Sequence, residues 1–308
     1  MAAGRYHVLL YHGVHPDDVV LDGRNSSGKH LPLARFAAQM KHLAATRPVV
    51  AMTDIAAAHR DEAELPDGAV AVTFDDGFLN NYLTAWPVLE AYGIPATFYL
   101  AVGFISTGRM IWSDVLEAAI LGSRHQELSL PLGDMTTTFP LTSDDDRIAA
   151  FTTIKTACKK LPNATKDAVV ETVCEKLGAS IAADHPLYAF MTWDQVREMN
   201  ASPHIAFGAH TVDHVSLAKV PPDTMRDQID RSVDAVGRAL GQPCRQFSYP
   251  EGQADDYDDG VIAHLQSKGF DHAPSAIDGD NDLATTHPFH IRRMMVGLEG
   301  RPYPFADI

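Results

Sequence analysis

The stretch Val70-Ala71-Val72-Thr73-Phe74-Asp75-Asp76-Gly77 decides the fold class. An apolar run ends in two adjacent carboxylates and a glycine. It reads as a buried strand delivering Asp75 and Asp76 to the end of a parallel sheet or barrel. Active sites of parallel α/β folds lie at the carboxyl ends of their strands. Adjacent strand residues point to opposite sides, so the two carboxylates are free to do different jobs, one binding a metal and the other accepting a proton. The blander reading is a helix N-cap, which explains one aspartate, with Asp-Gly as a common turn. On this segment alone both readings stand.

Outward from it, Ile205-Ala206-Phe207-Gly208-Ala209-His210-Thr211-Val212-Asp213-His214 is a second short apolar strand followed by two histidines four apart. A helical turn of the backbone after the strand would put both imidazoles on one side. Two neutral imidazoles and one carboxylate form the three-ligand set of a catalytic zinc, with a position open for water. In a chain with 15 histidines one such pair arises by chance. Its place at a strand end, beside an Asp-Asp strand end, gives it weight. Arg245-Gln246-Phe247-Ser248-Tyr249-Pro250-Glu251-Gly252 reads as a third strand entering a Pro-x-Gly turn. Such a turn can expose a backbone N–H to a reacting oxygen, although alone it is only a turn.

The three segments, in this order, resemble the polysaccharide deacetylase family, also called the NodB-homology family or carbohydrate esterase family four. The resemblance begins at Leu9-Leu10-Tyr11-His12-Gly13-Val14 and continues through residues 73–78 and Trp86-Pro87-Val88-Leu89. It takes in Gly93-Ile94-Pro95-Ala96-Thr97-Phe98-Tyr99 and Trp193-Asp194-Gln195-Val196, and closes with Ile291-Arg292-Arg293-Met294-Met295-Val296. It implies a distorted (β/α) barrel of about seven parallel strands. It also implies a metal-dependent hydrolase that removes an acetyl group from an N-acetylated sugar. Asp75 would be the general base, and Asp76, His210 and His214 the ligands of a divalent metal, zinc first. The chemistry agrees: a divalent metal polarises a carbonyl and lowers the pKa of water, and Asp75 takes the proton. By the same resemblance Tyr249, Pro250, Glu251 and Gly252 would form the oxyanion and substrate turn, with the Glu251 N–H as donor.

Three departures from the family pattern matter. Many members carry an arginine two residues before the motif proline, where this chain has Ser248. Arg293 on the last strand is the candidate replacement, within hydrogen-bond reach of Asp75, and Arg292 should point the opposite way. The residue after Pro250 is often aromatic, whereas Glu251 adds negative charge near the site. The family's general-acid histidine has no clear match, which leaves His12 and His290 as candidates.

The 308 residues suffice for one sizeable α/β core or two small domains, and the resemblance favours a single domain over residues 1–308. A net charge of −15 argues against nucleic acid or an anionic membrane as the main partner. Cys158, Cys174 and Cys244 are scattered and odd in number, so no disulfide framework is expected. No apolar run reaches the length of a transmembrane segment, and no leader with a cleavage site is visible. The expected location is therefore cytoplasmic, with a sugar precursor or assembly intermediate as substrate.

Strand-like runs at residues 6–11, 69–74, 96–101, 204–208 and 246–249 alternate with helical ones at 33–46, 80–92, 222–240 and 258–268, which indicates βα units. The interval from Asp76 to His210 is longer than a minimal member needs. The excess, residues 104–189, reads as a mostly helical insertion, with 143–177 rich in Ala, Lys, Glu and Thr. It would serve as a lid, as an interface in a homo-oligomer, or as plain elaboration of the barrel rim. Trp112 and Asp114 lie where they could border the site, Trp112 by stacking on a sugar ring. Two other functions compete: hydrolysis of a small non-saccharide amide or cyclic amide, and saccharide binding by a relative that has lost catalysis.

Overall fold

The computed structural model describes residues 4–132, 135–179 and 185–308. The chain opens with β1 (Arg5–Tyr11), the short strands β2 (Gly13–His15) and β3 (His30–Pro32), and helices α1 (Leu33–Thr46) and α2 (Met52–His59). Next come β4 (Ala69–Phe74), α3 (Trp86–Tyr92), β5 (Ala96–Leu100) and α4 (Trp112–Leu121). The middle contains β6 (Glu127–Leu132), β7 (Met135–Pro140), α5 (Asp144–Lys159) and α6 (Asn163–Leu177). The last part holds α7 (Trp193–Met199), β8 (Ile205–Ala209), α8 (Pro222–Leu240), α9 (Asp259–Ser267), β9 (Asn281–Asp282) and β10 (Met294–Met295).

Every residue of β4 is buried, as a strand covered on both faces requires. It lies between β1 and β5 in a parallel ladder of order β10-β1-β4-β5-β8, while β9 pairs antiparallel with the start of β1. Beyond β8 the ladder thins to single contacts. Ala209 bridges Phe247 in parallel, Tyr249 N–H donates to the Pro274 carbonyl at 3.5 Å, and Pro274 bridges Ile291 in parallel. The chain from Ile291 runs into β10, which lies beside β1. The strands thus return to their starting point as a distorted barrel, regular on one half and loosely stitched on the other. Residues 246–249, expected as a strand, take part through this stitching.

Aromatic rings bind the regular half together. Tyr11, Phe74, Phe98 and Phe207 sit on four neighbouring strands, with successive centroids 5.4, 4.7 and 5.7 Å apart. Helix α1 packs Phe36, Met40 and Leu43 on this layer, at the spacing of one helical face. The helix expected over 80–92 is divided: Asn81–Ala85 is a π-helical stretch and α3 follows. Pro87 has no N–H for the Leu83 carbonyl, which accounts for the wider turn.

The segment from 104 to 189 is less helical than its composition suggests. Helices α4, α5 and α6 pack with an antiparallel hairpin, β6–β7, around a second cluster that includes Leu116, Ile120, Leu128, Phe151, Ile154 and Val173. Residues 133–134 and 180–184 of this segment lie outside the described residues. Pro131 within β6 masked the strand pattern, since proline argues against a central strand. Among the described residues no cysteine is in a disulfide, and no helix is long and apolar enough to cross a membrane.

Candidate active site

His12 follows β1, Asp75 and Asp76 follow β4, and His210 and His214 follow β8. All five line one cavity of about 390 Å³ with Tyr249 and Glu251. These are carboxyl ends of parallel strands, where the fold gathers loops from several elements.

Asp75 keeps strand pairing, its N–H donating to the Tyr11 carbonyl at 3.0 Å. At Asp76 the backbone flips to φ 75°, and Gly77 follows at φ 93°. The alternation of sides expected for adjacent strand residues therefore ends at Asp75, and both carboxylates face the same cavity. The histidine loop also departs from expectation. No helical turn spans His210–His214; bends at Thr211 (φ 63°) and His214 (φ 51°) bring the two rings to 5.0 Å between centroids. Left-handed backbone at non-glycine residues costs about 1–3 kcal/mol each and persists only when its surroundings hold it. Here they do. Val102 and Gly103 donate to the Thr211 and Val212 carbonyls, and Gln228 of α8 accepts from the Val212 and Asp213 N–H groups at 3.0 and 2.9 Å.

Arg293 is fully buried and grips Asp75 with two parallel bonds, Nη1 to Oδ1 at 2.8 Å and Nη2 to Oδ2 at 2.7 Å. Its Nε donates to the Ser275 carbonyl at 2.6 Å, which fixes the plane of the fork. Arg292 turns away, with Nη1 on the Asp278 carbonyl. Ser248, at the position of the family arginine, donates from Oγ to Asp75 Oδ1 at 3.3 Å. The Ser248 carbonyl and Oγ lie 2.9 and 2.7 Å from His210 Nδ1. A proton on Nδ1 leaves the Nε2 lone pair facing the cavity.

Asp76 Oδ1 is buried without a hydrogen-bond partner among the described residues. It lies 3.3 Å from His214 Nε2 and 3.9 Å from His210 Nε2, and the ligand atoms of the three side chains are within 4.8 Å of one another. Burial lowers the His214 pKa to about 4 against the pull of Asp76, so its ring is neutral near pH 7. Burial pushes the Asp76 carboxyl up, but Lys29 and His214 outweigh it and hold it well below its ordinary range. An ionised carboxylate with an orphaned oxygen beside two imidazole nitrogens suits a divalent cation.

Around this centre the charges are paired. Burial would raise the Asp75 carboxyl, yet Arg293 and His210 bring it below the usual range. Glu251 lies at φ 60° and its carboxylate meets Lys159 of α5 at 3.1 Å. Lys159 and His214 overcome the cost of burial and lower the Glu251 pKa to about 2. The negative charge expected from Glu251 is thus neutralised from α5. Lys29, which sequence reasoning missed, bridges Asp114 at 3.0 Å and Asp76 at 3.5 Å. Despite Lys29, burial raises the Asp114 pKa to about 6.

Not every candidate joins the cavity. His290 Nδ1 lies 3.0 Å from the Tyr257 hydroxyl in a separate cavity with His287 and Arg292. Trp112 is buried under Lys166 and borders a different hollow, while its neighbours Ile111 and Ser113 line the site. Pro250 and Gly252 shape the turn without lining the cavity; the Gly252 N–H donates to the Pro250 carbonyl at 2.7 Å. Burial lowers the His12 pKa to about 4, so its ring is neutral near pH 7.

Residues 62–273 match the family model described as polysaccharide deacetylase. This stretch contains Asp75, Asp76, His210, His214 and the 249–252 turn, and leaves out His12 and Arg293. Among solved structures, the Streptococcus pyogenes deacetylase PplD in complex with acetate is similar at 16% identity and TM-score 0.62, covering 97% of this chain and 94% of its own. IcaB from Ammonifex degensii is 20% identical, with TM-score 0.61 and coverage of 96% and 93%. A de-N-acetylase from Aggregatibacter actinomycetemcomitans is 19% identical, with TM-score 0.60 and coverage of 98% and 97%. A search of curated proteins gave no match. Because the family model spans more than half of the chain and carries both strand-end motifs, the protein belongs to the polysaccharide deacetylase family, carbohydrate hydrolases that act on a C–N amide bond.

Proposed function

We propose that the protein is a divalent-metal-dependent N-deacetylase that removes an acetyl group from an N-acetylated sugar during assembly of a surface polysaccharide. Asp76, His210 and His214 hold the metal, zinc by preference. The observation that carries this reading is the orphaned Asp76 Oδ1 facing two imidazoles, beside a carboxylate gripped by arginine, in one cavity. The name of the de-N-acetylase neighbour and the acetate in the streptococcal one favour an acetyl group on nitrogen.

A bound divalent metal would supply Lewis acidity toward the amide oxygen and lower the pKa of a water molecule. The chain's own groups do the rest. Asp75, kept ionised by Arg293, takes a proton from the attacking water. Ser248 orients His210, and Gln228 holds the loop that carries His214. The Glu251 N–H, on a left-handed turn, donates to the oxygen that gains charge. Of the two histidines considered for the acid we assign His12, since it lines the cavity and His290 does not. Burial keeps His12 neutral at rest; negative charge developing nearby would raise its affinity for a proton, so it would take up the proton that Asp75 removed from the water and pass it to the leaving nitrogen. We read residues 104–189 as an insertion in a single catalytic domain, with α5 as the wall it adds to the cleft.

The test is a panel in the presence of zinc: N-acetylated sugars against small ureides and cyclic imides. Acetate should be released from a sugar. Turnover confined to the ureides or imides would replace this reading with that of a small-amide hydrolase.

A further inference from the structure

A second chamber of about 430 Å³ adjoins the active-site cavity and shares with it Lys155, Thr156, Lys159 and Glu299. Its far wall is the turn at Ser26 and Ser27. Each chamber falls within the roughly 300–1,000 Å³ of small-molecule sites. The dividing wall is one face of α5. Thr152, Lys155, Thr156 and Lys159 recur at the spacing of a single helical stripe, while Ile154 and Cys158 turn into the protein and the largely buried Phe151 borders the chamber from below.

The charge on this stripe is unusual for a chain of net −15. Lys159 is committed to Glu251 at 3.1 Å. Lys155 is only 14% exposed, and Glu299, the carboxylate it meets, is 3.9 Å away and largely in solvent. Burial, and then the neighbouring charges of Lys159 and Lys29, disfavour its cationic form. Its Nζ lies over the Phe151 ring at 5.6 Å from the centroid, but a half-desolvated cation without a close anionic partner is costly, and an anion brought by a ligand would relieve that cost. Arg301 stands on the cavity rim and adds positive charge.

We propose that this chamber receives an anionic group, phosphate or carboxylate, carried by the saccharide beside the acetylated residue, with Lys155 as its cation. The proposal rests on reading the adjoining site as a sugar deacetylase, and it narrows the substrate to a charged saccharide or a phosphorylated sugar. Lys29 and Lys159 are already paired with Asp114, Asp76 and Glu251, so Lys155 would carry the recognition, and Ser27 and Thr156 offer hydroxyl donors beside it.

The experiment measures, by calorimetry, binding of three probes to the zinc-loaded protein: N-acetylglucosamine, its 1-phosphate, and an N-acetylated disaccharide bearing a uronate. Acetate release is followed in the same samples. At least one anionic probe should bind about tenfold more tightly than the neutral sugar, the size expected for one charge-assisted hydrogen bond. Lys155→Gln should erase that margin and Lys155→Arg should keep it. The two anionic arms tell phosphate from carboxylate. Equal binding of neutral and anionic probes, or a margin that survives Lys155→Gln, would overturn the proposal. A margin without acetate release would sink the deacetylase reading and leave the anion site standing. Acetate release without a margin would do the reverse.

Discussion

Asp75 and Asp76 are neighbours in the chain with different surroundings. Asp75 answers to Arg293 and Ser248, Asp76 to Lys29 and the two histidines. Asp75→Asn should therefore cut turnover roughly a hundredfold or more, since an amide cannot take a proton, while bound zinc stays. His210→Ala should lose the zinc instead. If Asp75→Asn also emptied the site, the two aspartates would have exchanged roles. Arg293 lowers the Asp75 pKa, and the proposed base would work ionised. Removing the arginine raises that pKa, so Arg293→Met should slow the reaction and move the acidic limb of its pH profile upward. Arg292→Met, on the outer side, should do neither; matching profiles for the two variants would contradict the pairing. The motif residues were legible because each set is local, a carboxylate pair or a histidine pair at the end of one apolar strand. Lys29 was not, because a lone lysine in a loop has no spacing partner and meets Asp76 only through the fold. His290 illustrates the converse: a plausible place along the chain, in another cavity.

The elements explain why the loops stay in strained conformations. The bends at Thr211 and His214 are held between the 102–103 turn and Gln228 of α8. This support joins residues distant in sequence, so no local pattern announced it. The helical spacing of α1 and α8 was legible because each buries one stripe. The β6–β7 hairpin was not, because its apolar alternation is short and contains Pro131. Gly208 marks where the loose half of the barrel meets the regular half. A Cβ there would lie 2.6 Å from Gln246 Cβ and 2.7 Å from Tyr99 Cδ1. Gly208→Ala should cost about 1–3 kcal/mol by overpacking, read as a lower urea midpoint. An unchanged midpoint would mean that residues 246–249 do not seat closely on β8.

At the scale of the whole molecule, the barrel brings β1 and β10, from opposite ends of the chain, into register at Leu9–Met294 and Leu10–Met295. That pairing delivers Arg293 to Asp75 across more than two hundred residues. The family model stops short of both strands, so the Arg293–Asp75 pair emerges only when the two ends of the chain meet. The helical wall contributed by α5 is likewise a property of the assembled fold, since its lysines reach Glu251 and the cleft from the middle of the sequence. Asp76, His210 and His214 are proposed to hold a metal that deacetylation requires. The most direct measurement is acetate release from an N-acetylated sugar by protein stripped with a chelator and then titrated with zinc. Negligible release is expected from the stripped protein, with recovery that saturates at about one zinc per chain, as a three-ligand site requires. Release from the stripped protein at the rate of the zinc-loaded protein would contradict the proposal.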